Sequence, residues 1–143
     1  MKRKGFTLIE LLAVIVILAI IALIATPMIL GVIDTAKRSS AKTSAQYYVE
    51  AVEKSLMISQ LTTTYNVSSG DVYTVNGKTL TKSTGADNSS ATITVDYKGD
   101  APTGTITFGT GGTISKAELT FKGIIDKVVT YDVNTANLVE IAS

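Results

Sequence analysis

The chain contains no cysteine and no histidine. Without cysteine there is no disulfide-stapled domain and no thiol chemistry. Without histidine the commonest general base near neutral pH, and the commonest metal ligand, are missing. Proline occurs at only two positions, Pro27 and Pro102. Basic and acidic side chains nearly balance, 13 against 12, which gives a formal charge of +1 and no signature of a generic nucleic-acid binder. No pair or cluster of carboxylates is spaced for acid–base work. A membrane-anchored enzyme or binding module therefore lacks the usual reagents, and no cofactor is implied.

The most telling absence is local. Residues 11–33 include no charged side chain. As a helix this run is about 34 Å long at about 1.5 Å per residue, enough to cross a hydrocarbon core of about 30 Å. Lys2, Arg3 and Lys4 precede it and favour the cytoplasmic side. Glu10 stands at its edge, and a carboxylate within a membrane segment marks a function with a partner. Between the basic and apolar parts lies the junction Gly5-Phe6. A secretory signal is cut after its apolar region. A cut at Gly5-Phe6 instead removes five residues and leaves the apolar helix on the mature chain, with Glu10 four residues beyond the new amino terminus.

The run Gly5-Phe6-Thr7-Leu8-Ile9-Glu10-Leu11-Leu12 resembles the class III leader of type IV pilins and pseudopilins, and the resemblance extends over roughly the first 50 residues. It implies cleavage between Gly5 and Phe6 by a prepilin peptidase, N-methylation of Phe6, and engagement with an inner-membrane assembly platform. It also implies a single-pass stay in the cytoplasmic membrane, followed by assembly as a homo-oligomer into a helical surface filament. The fold it implies is α+β: a long helical spine packed on an antiparallel sheet. Many relatives carry a C-terminal disulfide loop; this chain departs from them, and a cysteine-free head is nearer to Gram-positive members. Loss of Lys2, Arg3 and Lys4 turns the side-chain balance from +1 to −2, with 10 basic against 12 acidic.

For Glu10 two roles stand: pairing with the Phe6 ammonium of a neighbouring subunit, which would set register because a misaligned subunit leaves a charge uncompensated, or pairing with its own amine or the membrane interface. Pro27 removes an N–H and presses on the carbonyl of Leu23, and Gly31 lowers helix propensity further. The pair marks a helix break, either a simple kink, with the Thr26 hydroxyl satisfying freed groups, or a segment that unwinds on assembly, as the resemblance suggests. A second glycine common earlier in such helices is replaced here by Ala19.

The chain divides into a leader (1–5), an apolar helix (6–33), an amphipathic half (34–61), a connecting loop with a short hairpin (62–90) and an antiparallel sheet (91–143). The two helical halves are expected to form one spine. In the amphipathic half Ala41, Ala45, Tyr48, Val49, Val52 and Leu56 recur at helical spacing and require a sheet to cover them; Tyr47 is open between core and contact. Asn76-Gly77 between residues 72–75 and 78–81 signals a hairpin. Residues 82–90 read as an exposed loop. Strands are expected at 91–97, 104–108, 118–122 with Ile114 as a possible start, 127–133 and 138–141, with a turn at 134–137.

Other matches carry little. Asn66-Val67-Ser68 and Asn88-Ser89-Ser90 fit a glycosylation pattern that threonine- and serine-rich loops produce by chance. Gly109-Thr110-Gly111-Gly112 lacks the lysine and helix of a phosphate loop. Asp96, Asp100, Asp126 and Asp132 match no compact calcium loop, so no metal is assigned. The leading expectation is the structural subunit of a type IV pilus serving adhesion, biofilm formation or twitching motility. The alternative is a pseudopilin, minor pilin or competence pilin of a secretion or DNA-uptake filament.

Overall fold

The computed structural model describes residues 5–62, 67–84, 92–132 and 137–140. The leader residues Lys2, Arg3 and Lys4, the centre of the expected loop at 82–90, both asparagines of the glycosylation matches and most of the turn at 134–137 lie outside them. The chain forms two compact units, Met1–Ala36 and Lys37–Ser143. Helix α1 is assigned from Leu8 to Thr62.

In the first unit the apolar side chains of α1 face outward: Ile9, Leu12, Ile17, Leu23 and Ile29 are all exposed. Pro27 lies inside α1 without interrupting the helical assignment.

In the second unit the helical stripe is buried as its spacing demands. Ala41, Ala45, Tyr48, Val49, Val52 and Leu56 are the buried residues of α1. They meet one face of a seven-stranded sheet: β1 (Val72–Asn76), β2 (Thr79–Thr84), β3 (Thr92–Thr94), β4 (Thr103–Phe108), β5 (Ile114–Phe121), β6 (Ile125–Asp132) and β7 (Asn137–Glu140). The spatial order is β3-β2-β1-β4-β5-β6-β7, and every pairing is antiparallel. Inward positions alternate along the strands, with Tyr73, Val75, Leu80, Ile106, Phe108, Ala117, Leu119, Phe121 and Val129 in the core. Each fully buried large apolar side chain contributes about 1.5–3 kcal/mol. Tyr47 is 61% exposed and Tyr48 is fully buried, which resolves the two adjacent tyrosines.

Two details differ from the pattern read along the chain, and a third agrees with it at Ile114. The hairpin is no appendage of the connection: β1 pairs with β4 and sits mid-sheet, because Tyr73, Val75 and Leu80 supply the inward face that joins it to the core. Its turn residues are Gly77-Lys78, with Asn76 opposite Thr79, and Gly77 takes φ 67°, a left-handed conformation open to glycine. The strand expected at 91–97 is regular only over Thr92–Thr94. Beyond it Val95 still donates to the Lys78 carbonyl at 2.8 Å. Tyr97 then turns onto α1: its ring meets that of Tyr48 edge-on at 5.2 Å, and its hydroxyl donates to the Ser44 carbonyl at 3.4 Å. The region from Ile114 to Phe121 is one continuous strand, with a bulge at Thr107/Phe108 taking up the extra residue opposite.

Among the described residues one ion pair is fully inside. Lys82 Nζ lies 3.0 Å from Asp71 Oδ2, with side chains 3% and 1% exposed. The Ser68 N–H donates to the same oxygen at 2.9 Å. No periodicity announces this pair, since Lys82 occupies an inward position of β2 opposite Tyr73.

Two expectations follow from this packing. Gly104 has φ 149°, and a Cβ there would sit 1.9 Å from the Glu118 carbonyl oxygen. Gly104→Ala should destabilise the chain by more than about 2 kcal/mol, read as a lowered urea midpoint. Burial, with repulsion from Tyr97, raises the Tyr48 phenol well above its ordinary 10.0. Burial also raises Tyr97, which Asp100 reinforces and the Ser44 hydrogen bond opposes. Both raised values favour the protonated phenols in the fold. Their contribution is complete below pH 10 and is lost as pH rises beyond it. Tyr48→Phe should flatten this alkaline loss in a pH series of unfolding midpoints.

Candidate functional site

Helix α1 begins with a reciprocal cap. The Leu11 N–H donates to the Thr7 carbonyl at 3.3 Å, which makes Thr7 the residue just outside the first turn. Thr7 donates to Glu10 Oε2 twice, from its N–H at 2.9 Å and from its hydroxyl at 2.7 Å. The Glu10 N–H donates back to the Thr7 hydroxyl at 3.4 Å. This is a capping box, with threonine at the cap and glutamate three residues on. The carboxylate also lies at the helix end where the macrodipole favours negative charge. Glu10 in the single chain is thus held by Thr7, a local partner absent from both roles considered for it from sequence. The Thr-x-x-Glu spacing at residues 7–10 carried that signal.

Gly5 and Phe6 precede the helix in exposed, non-helical backbone, Phe6 at 86% exposure. The junction therefore lies outside the helix. Further along, the Thr26 hydroxyl donates to the Ala22 carbonyl at 2.7 Å. That acceptor is one residue before the Leu23 carbonyl that Pro27 cannot serve. The Thr35 hydroxyl donates to the Gly31 carbonyl at 2.9 Å. A Cβ at Gly31 would meet nothing within 4 Å, so no packing within the chain requires glycine there.

The apolar part of α1 is long and hydrophobic enough to cross a membrane, and none of that window is buried within the chain. An exposed apolar surface of this extent marks a membrane or protein interaction surface.

Among its described residues the second unit offers no competing centre. Among the described residues no three of Asp and Glu group as a metal site. Asp96 and Asp100 are exposed and Asp132 is half-buried. Residues 110–112 form a short 3-10 turn between β4 and β5, closed by the Gly109 N–H donating to the Thr113 carbonyl at 2.7 Å.

Residues 1–26 match the family model of the prokaryotic N-terminal methylation motif. Neither a curated protein nor a solved structure matches the chain. The match covers the N-terminal segment alone, a prepilin-type leader running into the apolar helix. A long N-terminal helix with an antiparallel sheet fits the pilin architecture.

The cap is separable from the charge. Thr7→Ala should cost the first turn about 1 kcal/mol and speed amide exchange at residues 8–11 roughly fivefold in lipid nanodiscs, whereas Thr7→Ser should restore protection. Unchanged exchange in Thr7→Ala would mean that the box carries no weight there.

Proposed function

We propose that this chain, whose first 26 residues carry the prepilin methylation motif, is the structural subunit of a type IV pilus. Prepilin peptidase cuts between Gly5 and Phe6 and methylates Phe6. The mature subunit waits in the cytoplasmic membrane as a single-pass protein. An inner-membrane assembly platform then adds it to a helical filament of identical copies, which acts outside the cell in adhesion, biofilm formation or twitching motility.

The observation that carries this reading is the motif leading directly into an apolar helix left wholly exposed. Such a surface is stable in only two surroundings, lipid or the apolar helices of other copies. The exposed, non-helical backbone at Gly5-Phe6 supports cleavage there, since a peptidase needs an open chain.

Glu10 fits this cycle in two stages. In the membrane its carboxylate is held by Thr7, which lowers the cost of keeping a charge at the edge of lipid. In the filament it exchanges that partner for the Phe6 ammonium of a neighbour. A neighbour out of register leaves both charges unmet, so the pair selects alignment more than it adds stability. Pro27 and Gly31 supply the place where the helix opens on assembly, because Pro27 has already removed one bond of the ladder and Gly31 resists helix.

The test separates processing from assembly. A bulky residue at Gly5 should leave an unshifted precursor on a gel and no fibres; mature length would refute the assigned cleavage. Glu10→Ala should insert and be cleaved normally, yet yield at least about tenfold less sheared fibre, since a lone ammonium in the core costs more than 1.4 kcal/mol. Wild-type fibre yield would sink the registry role.

A further inference from the structure

The buried pair Lys82–Asp71 has no place in leader cleavage or in helix assembly. It belongs to the second unit, at the end of the core where β1 and β2 lose regular pairing. The register between them shifts at Val72/Tyr73, and the Ser83 hydroxyl fills in by donating to the Val72 carbonyl at 3.0 Å. Lys82 lies opposite Tyr73, whose ring meets Phe108 edge-on at 5.2 Å. Asp71 is clamped by its backbone as well: its carbonyl accepts from the Phe108 N–H at 2.9 Å, and its N–H donates to the Ser68 carbonyl at 3.1 Å. An amine and a carboxyl group are therefore held 3.0 Å apart, out of water, by fixed backbone on both sides.

Those are the two halves of an amide. We propose that Lys82 and Asp71 condense into an intramolecular isopeptide bond once the head has folded. In water, ammonium and carboxylate are the resting forms, and the ammonium has no lone pair with which to attack. Burial works against separated charges and towards the neutral amine and acid, reached by one proton transfer across the existing contact. The amine Nζ then adds to Cγ of Asp71. The Ser68 N–H, already 2.9 Å from Oδ2, holds the oxygen that takes up the proton and becomes the leaving group. Oδ2 departs as water with two protons given up by the nitrogen, and Oδ1 remains as the amide carbonyl. One ammonium and one carboxylate become one amide and one water, with no oxidant, cofactor or outside base. Fixed proximity supplies the entropic advantage that makes an intramolecular acyl transfer feasible, and lysine is a competent nucleophile once desolvated.

The product would staple the entry of β1 to β2 across the place where their ladder is interrupted. In a chain without cysteine it is the covalent constraint that these residues can supply.

Mass spectrometry of the full, folded chain after denaturation decides the matter. The wild type should weigh one water less than its sequence, and digestion should yield a single branched peptide joining residues 71 and 82. Lys82→Arg should restore the full mass. Asp71→Asn should reach the wild-type product mass by losing ammonia instead. A wild-type chain at full mass, with residues 71 and 82 recovered in separate unmodified peptides, would overturn the proposal. So would a water loss that maps elsewhere in the chain, as to a cyclised aspartate other than Asp71. Because the wild type is decisive alone, misfolding of either variant leaves the result intact.

Discussion

An apolar helical surface that the described chain does not cover is the constraint on which everything else depends. The side chains of residues 8–33 face outward along the helix, and apolar area in water costs about 25 cal/mol per Å². That cost is avoided by lipid or by like helices, and the same surface serves in both settings.

The polar exceptions within that surface are few, and each is locally managed. Glu10 is bonded to Thr7, Thr26 to Ala22 and Thr35 to Gly31. In a medium without water an unmet donor or acceptor costs several kcal/mol, so bonds within one or two turns are the economical arrangement. Glu10 is the one among these three with a net charge to offer a partner outside the chain. Its hold on Thr7 spans three residues and can be surrendered without disturbing the helix beyond the first turn.

The head follows a different logic. Its stability rests on a helix stripe laid on one face of a sheet, and the stripe is held by tyrosines as well as aliphatic residues. Tyr48 joins α1 to the hairpin by donating to the Gly77 carbonyl at 2.8 Å, while its ring meets Tyr97. A single buried side chain thus ties helix, hairpin turn and the segment after β3 together. This works because the Tyr48 and Tyr97 hydroxyls find backbone acceptors.

Local rules were sufficient for much of this molecule. The apolar run, the basic residues before it, the Asn76-Gly77 hairpin and the stripe from Ala41 to Leu56 each depend on spacing within one element, and spacing is written in the chain. The Thr7–Glu10 cap was legible in the same way, as threonine followed three residues later by glutamate. What only the tertiary structure decided was long-range pairing. Nothing local says that β1 lies beside β4, that Tyr97 turns onto α1, or that Lys82 faces inward to meet Asp71, because strand order and the fate of a buried charge depend on which residues, distant along the chain, arrive at the same place.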